Sequence, residues 1–595
     1  MSHHAPKALT DVDKAVLGTK ADRPWLLLNV AGAVAIILAF AYTLITGQGE
    51  GASRFAFAYT VGFAFAMAIT LGNLFFVIIT TLFRAGWCAA IRRVAETYAA
   101  NIVTLAALFI PVLLCVWATD GSLYPWTKAG IHEAGDALAH HGKPAPFLPD
   151  RSGDAHSSAS PFVDARIQPA ATGPTEGHGA SEHTPYAAPE TASQAAPEAA
   201  HPIDSHDAAA NTSANHSNAP ASHDVGHNAE HATAPSSGDT HAQTQDSHAE
   251  HNANSSHDTQ HTAEHGSEHG GEHGDAHGDD HAVWTHTAEH WRGHNHAVPF
   301  FVYKKGLYLT RGFYTVRWVI YLLVWGLVGR FFYKNSLRQD QTGDVSLTNR
   351  REWWAPLSVA AFAVTITLAS FDLLMSIDPV WYSTMFGVYF FAGAFIAGIS
   401  TIILTLMAGQ KYDYFPAVTT EHFHDLGKLL FAFVFFWGYV GFSQFMLIWY
   451  ASLPETTYWW AIRGVTTLAT EPTYGGAWSK VAILLLFGHL FIPFAFLLSK
   501  HVKRNRKALM VTAIWMLFMC WLDLFWITLP ALSSPNFLLP IPELLCAAGC
   551  VAILVGGALK IASRASLTAY NDPRMHESLA LDTTAWAPIH PEPKS

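Results

Sequence analysis

The sequence predicts an all-α polytopic membrane protein with about ten transmembrane helices, on three observations. Apolar runs recur along the 595 residues, and most exceed the ~18–20 residues needed to cross a bilayer. Charge is scarce: Asp, Glu, Lys and Arg make up 14% of the chain, against about 25% in soluble globular proteins. No ~10-residue alternation suggests a barrel, so the spanning backbone must satisfy its hydrogen bonds within helices. These features exclude an ordinary soluble enzyme. Five cysteines, Cys88, Cys115, Cys520, Cys546 and Cys550, all lie in or beside apolar runs, which excludes a disulfide scaffold. The formal net charge of −11 comes largely from one polar tract, and nothing is basic enough to suggest nucleic acid.

In order, the spans are roughly 25–46, 55–83, 98–118, 313–333, 354–374, 383–408, 426–450, 477–498, 508–531 and 540–562. Most are apolar all round, unlike surface helices. The first is longer than a signal h-region and no small-residue cleavage motif follows it. Lys and Arg set the orientation. With the N-terminus taken as cytoplasmic, the segments on that side hold 21 of them, from Lys7 to Arg574, whereas the four short opposite loops hold three, Arg54, Arg463 and Lys480. Both termini are therefore expected in the cytoplasm. The domain organisation that follows is 1–130 with spans 1–3, an insert over 131–297, 298–565 with spans 4–10, and a cytoplasmic tail over 566–595. Trp353, Trp354, Trp381, Tyr382, Trp449, Tyr450, Tyr458, Trp459 and Trp460 fit interfacial aromatic belts.

The insert holds 26 of the 34 histidines and few large aliphatic residues, so it is expected to be disordered and, by parity, periplasmic. Histidine recurs every fourth residue at His257, His261, His265, His269, His273, His277 and His281. On a helix that spacing would align imidazoles able to bind Zn, Cu or Ni, although the Gly and Ser content argues against a stable helix. A solvating spacer and a metal-buffering or pH-responsive segment both fit.

Redox ligands are sparse. Only His489 lies deep in a span, so paired haem ligands and a haem-copper core are not expected. There is no C-x-x-C-H, clustered cysteine set, Walker motif or dinucleotide fingerprint. Cys546 and Cys550 read as packing residues. No cofactor bound by this chain is expected. Ionisable groups inside spans are functional candidates by default. By depth they order as His422, His424, Asp425 and Lys428 near the inner side, then His489 near the midplane, Asp523 beyond it, and Asp372 near the outer end of span 5. Such a series could relay protons. His489 and Asp523 sit on antiparallel neighbours and could approach each other, as a relay or as a structural pair. The Glu421–His424 segment could equally be a capped helix start, and Asp372 and Asp378 could turn the span 5–6 connection ahead of Pro379. Asn73, Gln444 and Glu543 add further polar positions.

Three stretches carry a family resemblance: SFDLLMSIDPVWYSTMFGVYFFAG over 370–393, EHFHDLGKLLFAFVFFWGYVGFSQFMLIWYASLPE over 421–455, and GFAFAMAITLGNLFFVIITTLFRAGW over 62–87. Together they resemble the ActF-type membrane subunit of alternative complex III, the bacterial quinol:cytochrome c (or electron-carrier) oxidoreductase, within the wider NrfD/polysulfide-reductase-like membrane family. The resemblance leaves out the His-rich insert. It implies two four-helix bundles, helices 2–5 and 6–9, with helices 1 and 10 peripheral. It implies a bacterial inner-membrane complex with an NrfD-like sister subunit, an iron–sulfur protein and a multihaem cytochrome c, in which electrons run through the partners. It also implies quinol contact and possible proton conduction by this subunit.

Direct quinol oxidation by this chain is the alternative within the family, with Asp372 and Asp378 as proton acceptors. A secondary transporter, with metal ions as the substrate the histidines suggest, is the alternative outside it, although no paired Gly/Pro-interrupted segments of the inverted-repeat kind are visible.

Overall fold

The computed structural model describes residues 9, 16–46, 51–132, 134, 136, 297–465, 477–533 and 539–581. The chain divides into two units, and the second, 166–275, lies outside the described residues, as do all seven histidines of the four-residue repeat.

The protein is an all-α polytopic membrane protein. Among the described residues, ten helices are long and apolar enough to cross a bilayer: helix 1 (Gly18–Thr46), helix 2 (Gly51–Leu82), helix 3 (Arg92–Ala118), helix 4 (Arg311–Thr342), helix 5 (Ser346–Ile377), helix 6 (Phe386–Gln410), helix 7 (Thr420–Ala451), helix 8 (Ala477–Leu498), helix 9 (Arg506–Leu532) and helix 10 (Ile541–Ala562). Several outrun the apolar windows that predict them. Helix 4 continues to Thr342, nine residues past its apolar stretch, and buries Asn335, Ser336, Gln339 and Asp340 on the extension. Hydropathy measures the thickness of hydrocarbon, whereas the helix ends where its caps are; here Gly343 stops the chain at φ +67°, a conformation open to glycine.

Helices 2, 3, 4 and 5 pack in sequence and close into one four-helix bundle; helices 6, 7, 8 and 9 close into a second. Helices 1 and 10 form a pair lying on helix 2. Val16 and Ser566 meet in an antiparallel bridge, and Gly18 N–H donates to the Ser563 carbonyl, so the segments before helix 1 and after helix 10 share one face. That face is called inner below.

The bundles meet along helices 2 and 6, where Gly72 and Gly398 let the backbones touch. A Cβ on Gly72 would stand 2.0 Å from the Ala394 carbonyl oxygen, and one on Gly398 would stand 2.5 Å from Gly72 C. Both obstacles are backbone, so nothing small can yield. Gly72→Ala is expected to push the bundles apart and cost about 1–3 kcal/mol or more, read as a lower melting temperature of the detergent-solubilised protein. A melting curve matching wild type would mean that the crossing is looser than described.

Candidate functional site

The second bundle encloses the best candidate. Helix 8 departs from α-helical geometry over Leu486–Phe491, a π-helical turn that carries His489. The cause is local: Pro493 has no N–H to close on the His489 carbonyl, and its ring crowds that turn. Trp515 of helix 9 donates from Nε1 to the Gly488 carbonyl at 2.7 Å, which anchors the distorted turn. The His489 side chain is fully buried. It stacks on Trp437 of helix 7 at 3.9 Å, its Nε2 lies 3.9 Å from Cys520 Sγ, and its Nδ1 has no hydrogen-bond partner among the described residues.

Asp523 of helix 9 is also buried, and accepts hydrogen bonds from Tyr389 Oη (2.5 Å) and Trp437 Nε1 (3.3 Å). His489 and Asp523 therefore belong to one cluster but make no direct hydrogen bond to each other. Trp437 stands between them, its face on the imidazole and its ring N–H on the carboxylate. No cation pairs with Asp523 among the described residues, so nothing but two neutral donors offsets the cost of burying its charge.

Asp372 presents the opposite case. It lies in the first bundle, where Arg317 of helix 4 grips it with two bonds, Nε to Oδ2 at 2.8 Å and Nη2 to Oδ1 at 2.9 Å. Tyr321 Oη adds a third at 2.9 Å. The guanidinium lies 3.7 Å from the Tyr308 ring centroid and donates to the Tyr308 carbonyl. A carboxylate held this way is compensated. Asp372 and Asp523 share no partner, so the expected final step of the relay, from Asp523 to Asp372, is not a contact.

The two aspartates nevertheless occupy matching positions. Asp372-Leu373 precedes Pro379, and Asp523-Leu524 precedes Pro530, at identical spacing on the last helix of each bundle, each with a tyrosine hydroxyl on its carboxylate. This repeat was a signal available in the sequence. Arg317, Tyr321, Tyr389 and Trp437 were not among the expected site residues.

Asp378 caps the turn after helix 5, accepting from the N–H groups of Val380 and Trp381 and from the Tyr458 hydroxyl. Burial raises its carboxyl above the usual range.

On the inner side, His422 closes a capping box with Thr419: its Nδ1 accepts from the Thr419 N–H, and its Nε2 meets Ser578 Oγ at 2.8 Å. Ser578 spends its own proton on the Trp87 carbonyl, so Nε2 is the donor and the ring is the neutral Nε2–H tautomer. Both nitrogens are committed to structure. Glu421 pairs with Arg504 and lies 3.6 Å from His424 Nδ1, and Asp425 pairs with Lys428 at 2.5 Å. Between Asp425 and Trp437 helix 7 rises about 18 Å, and Lys428 is the sole titratable side chain it carries there.

A second buried polar group was not anticipated. Arg92, Arg93 and Arg351 interlock with Glu96, Asp340 and Asp572 at the inner end of the first bundle. In the sequence these arginines look like ordinary positive-inside residues. Asp572 ties the C-terminal segment to this network. Burial alone would raise its carboxyl, but the Arg92 charge and hydrogen bond, with Arg351, hold it down to about 2. A depressed value stabilises the fold above the ordinary carboxylate range, and that contribution is lost as pH falls from about 4 toward 2. Pepsin cleavage within residues 566–581 is accordingly expected to rise over that window, and Asp572→Asn is expected to be cleaved readily at its upper end. Equal cleavage of the two proteins there would exclude this role.

Among the described residues no group of three His, Cys, Asp or Glu side chains is placed to hold a metal. No protein-family model matches the chain, and no curated protein is significantly similar to it.

Proposed function

We propose that this chain is a membrane subunit of a bacterial respiratory quinol:cytochrome c (electron-carrier) oxidoreductase, lying in the inner membrane with both termini cytoplasmic and the His-rich insert periplasmic. It carries no redox centre, supports quinol oxidation by its partners, and moves protons through the intramembrane His489 and Asp523, with water between them; Tyr389 and Trp437 hold the carboxyl as hydrogen-bond donors. The observation that carries the relay is Asp523: a buried carboxylate inside a helix bundle, uncompensated by any described cation, beside a buried imidazole with a spare nitrogen. The family assignment is supported by the motifs on helices 2, 5–6 and 7. On the inner half, His424 and Asp425 are the entry groups, and water must bridge from them to His489.

Direct quinol contact is the second reading, favoured by one observation. Asp378, not Asp372, lines an outer cavity of about 340 Å³ whose walls include Leu307, Tyr308, Phe371, Met375 and Trp381. A cleft walled mainly by apolar side chains, with Asp378, Lys304 and Lys305 also on its lining, suits a quinol head group, with Asp378 as proton acceptor; Asp372 is already saturated by Arg317.

Gentle solubilisation followed by affinity capture of this chain tests the assignment. A multihaem cytochrome and an iron–sulfur protein are expected to co-purify. A haem spectrum in the isolated polypeptide, or capture of the chain without partners, would defeat it.

A further inference from the structure

The outer mouth of the second bundle holds a buried cation that the relay described above does not use. Arg463, two residues past the short helix Pro454–Ala461, is 2% exposed. Its guanidinium lies 3.5 Å from the Trp459 ring centroid and donates to the carbonyls of Trp459 (2.9 Å) and Ile527 (2.5 Å). Among the described residues no carboxylate forms an ion pair with it, and its Nε has no hydrogen-bond partner. Burial pushes this guanidinium down to about 9.

Its position is the informative part. Ile527 lies one helical turn beyond Asp523 on helix 9, and the adjacent Thr528 has a buried hydroxyl with no hydrogen-bond partner among the described residues. On the other side, Tyr458 donates to Asp378, which lines the outer cavity. The walls between are aromatic: Trp381 stacks on Trp459 at 4.2 Å and 11°, and Trp459 and Trp460 both close on Trp526. Among the described residues, the polar atoms here without a hydrogen-bond partner are Arg463 Nε, Thr528 Oγ1 and the ring N–H groups of Trp381 and Trp460, which water can join.

We propose that Arg463 is the outer barrier of the proton route, a fixed positive charge seated between Asp523 and the outer cavity, with Asp378 as the release group on the far side. The inference rests on the relay reading. A proton leaving the Asp523 carboxyl passes to water beside Thr528 and then to the Asp378 carboxylate, which gives it to the outer aqueous phase; Asp523 is left ionised and no electron moves. A fixed cation among closely packed aromatic rings repels hydronium. It therefore opposes back-flow from outside, and lets a proton through only when the complex drives it.

Proton permeability of the full chain in liposomes tests this, using a potassium diffusion potential and a trapped pH dye. Wild type and Arg463→Lys are expected to stay tight. Arg463→Gln is expected to raise passive proton flux about tenfold or more, and adding Asp523→Asn is expected to return it to the wild-type level. If Arg463→Gln stays tight while Asp523→Asn still lowers coupling in the intact complex, the barrier assignment is wrong and the relay stands. A leak that persists in the double variant bypasses Asp523 and overturns the proposal. Should Arg463→Gln fail to fold, Asp378→Asn carries the test in the intact complex: outward proton release is expected to fall severalfold, and an unchanged rate overturns the proposal.

Discussion

Asp523→Asn is expected to leave the complex assembled and electron transfer intact while abolishing proton coupling in proteoliposomes. The substitution is nearly isosteric. The amide oxygen can still accept from Tyr389, whereas the amide nitrogen then faces Trp437 Nε1, so one of two hydrogen bonds is lost. A single neutral hydrogen bond is worth about 1 kcal/mol, too little to prevent folding. The functional effect is far larger, because an amide cannot cycle a proton: removing a positioned proton carrier typically slows transfer by about 10²-fold or more. Tyr389→Phe keeps the carboxyl but removes its shorter hydrogen bond, so it is expected to shift the pH profile of coupling without abolishing it. Proton-to-electron ratios measured on quinol-driven vesicles decide the matter. A ratio unchanged in Asp523→Asn removes this residue, and with it the relay.

Arg317→Met is expected to be the most destabilising of the substitutions considered, although it lies in the other bundle. Arg317 is 5% exposed and Asp372 is 0% exposed, so the change strands a carboxylate with only Tyr321 to satisfy it. Removing one partner of a buried pair costs about 3–5 kcal/mol. The cation also sits against Tyr308 and its carbonyl, so the segment leading into helix 4 is expected to loosen too. Pairing Arg317→Met with Asp372→Leu removes both charges and is expected to recover most of the loss. Thermal unfolding in detergent separates the cases, and a single variant as stable as wild type would show that Asp372 carries no uncompensated charge. The contrast with Asp523 is the physical core of the functional reading. Two aspartates at corresponding positions differ in whether a guanidinium reaches them: Arg317 pairs with Asp372, and Asp523 has only two neutral donors among the described residues.

Several site residues could be found without coordinates. Asp523, His489 and Asp372 stand out because a titratable group in hydrocarbon is costly enough to be conspicuous. Their partners do not. Tyr389 and Trp437 are two aromatics in a chain that is 13% aromatic, and nothing local distinguishes them from residues that face lipid. Arg317 lies near the start of its span, and the carboxylate it pairs with is 55 positions away, beyond any local pattern. His422 shows the limit of a local reading: a histidine at a helix start reads equally as a proton entry group or as a cap, and its capping box with Thr419 and its contact with Ser578 of the C-terminal segment give it the capping contacts.

Span number and helical class were legible in one dimension, because a bilayer imposes length and hydropathy on each segment separately. What tertiary structure alone decided is which charges meet. Whether Asp372 is paired and Asp523 is not depends on helices 4 and 5 closing one bundle while helices 6 to 9 close another. Pairing across tens of residues is a property of packing, and no local window contains it.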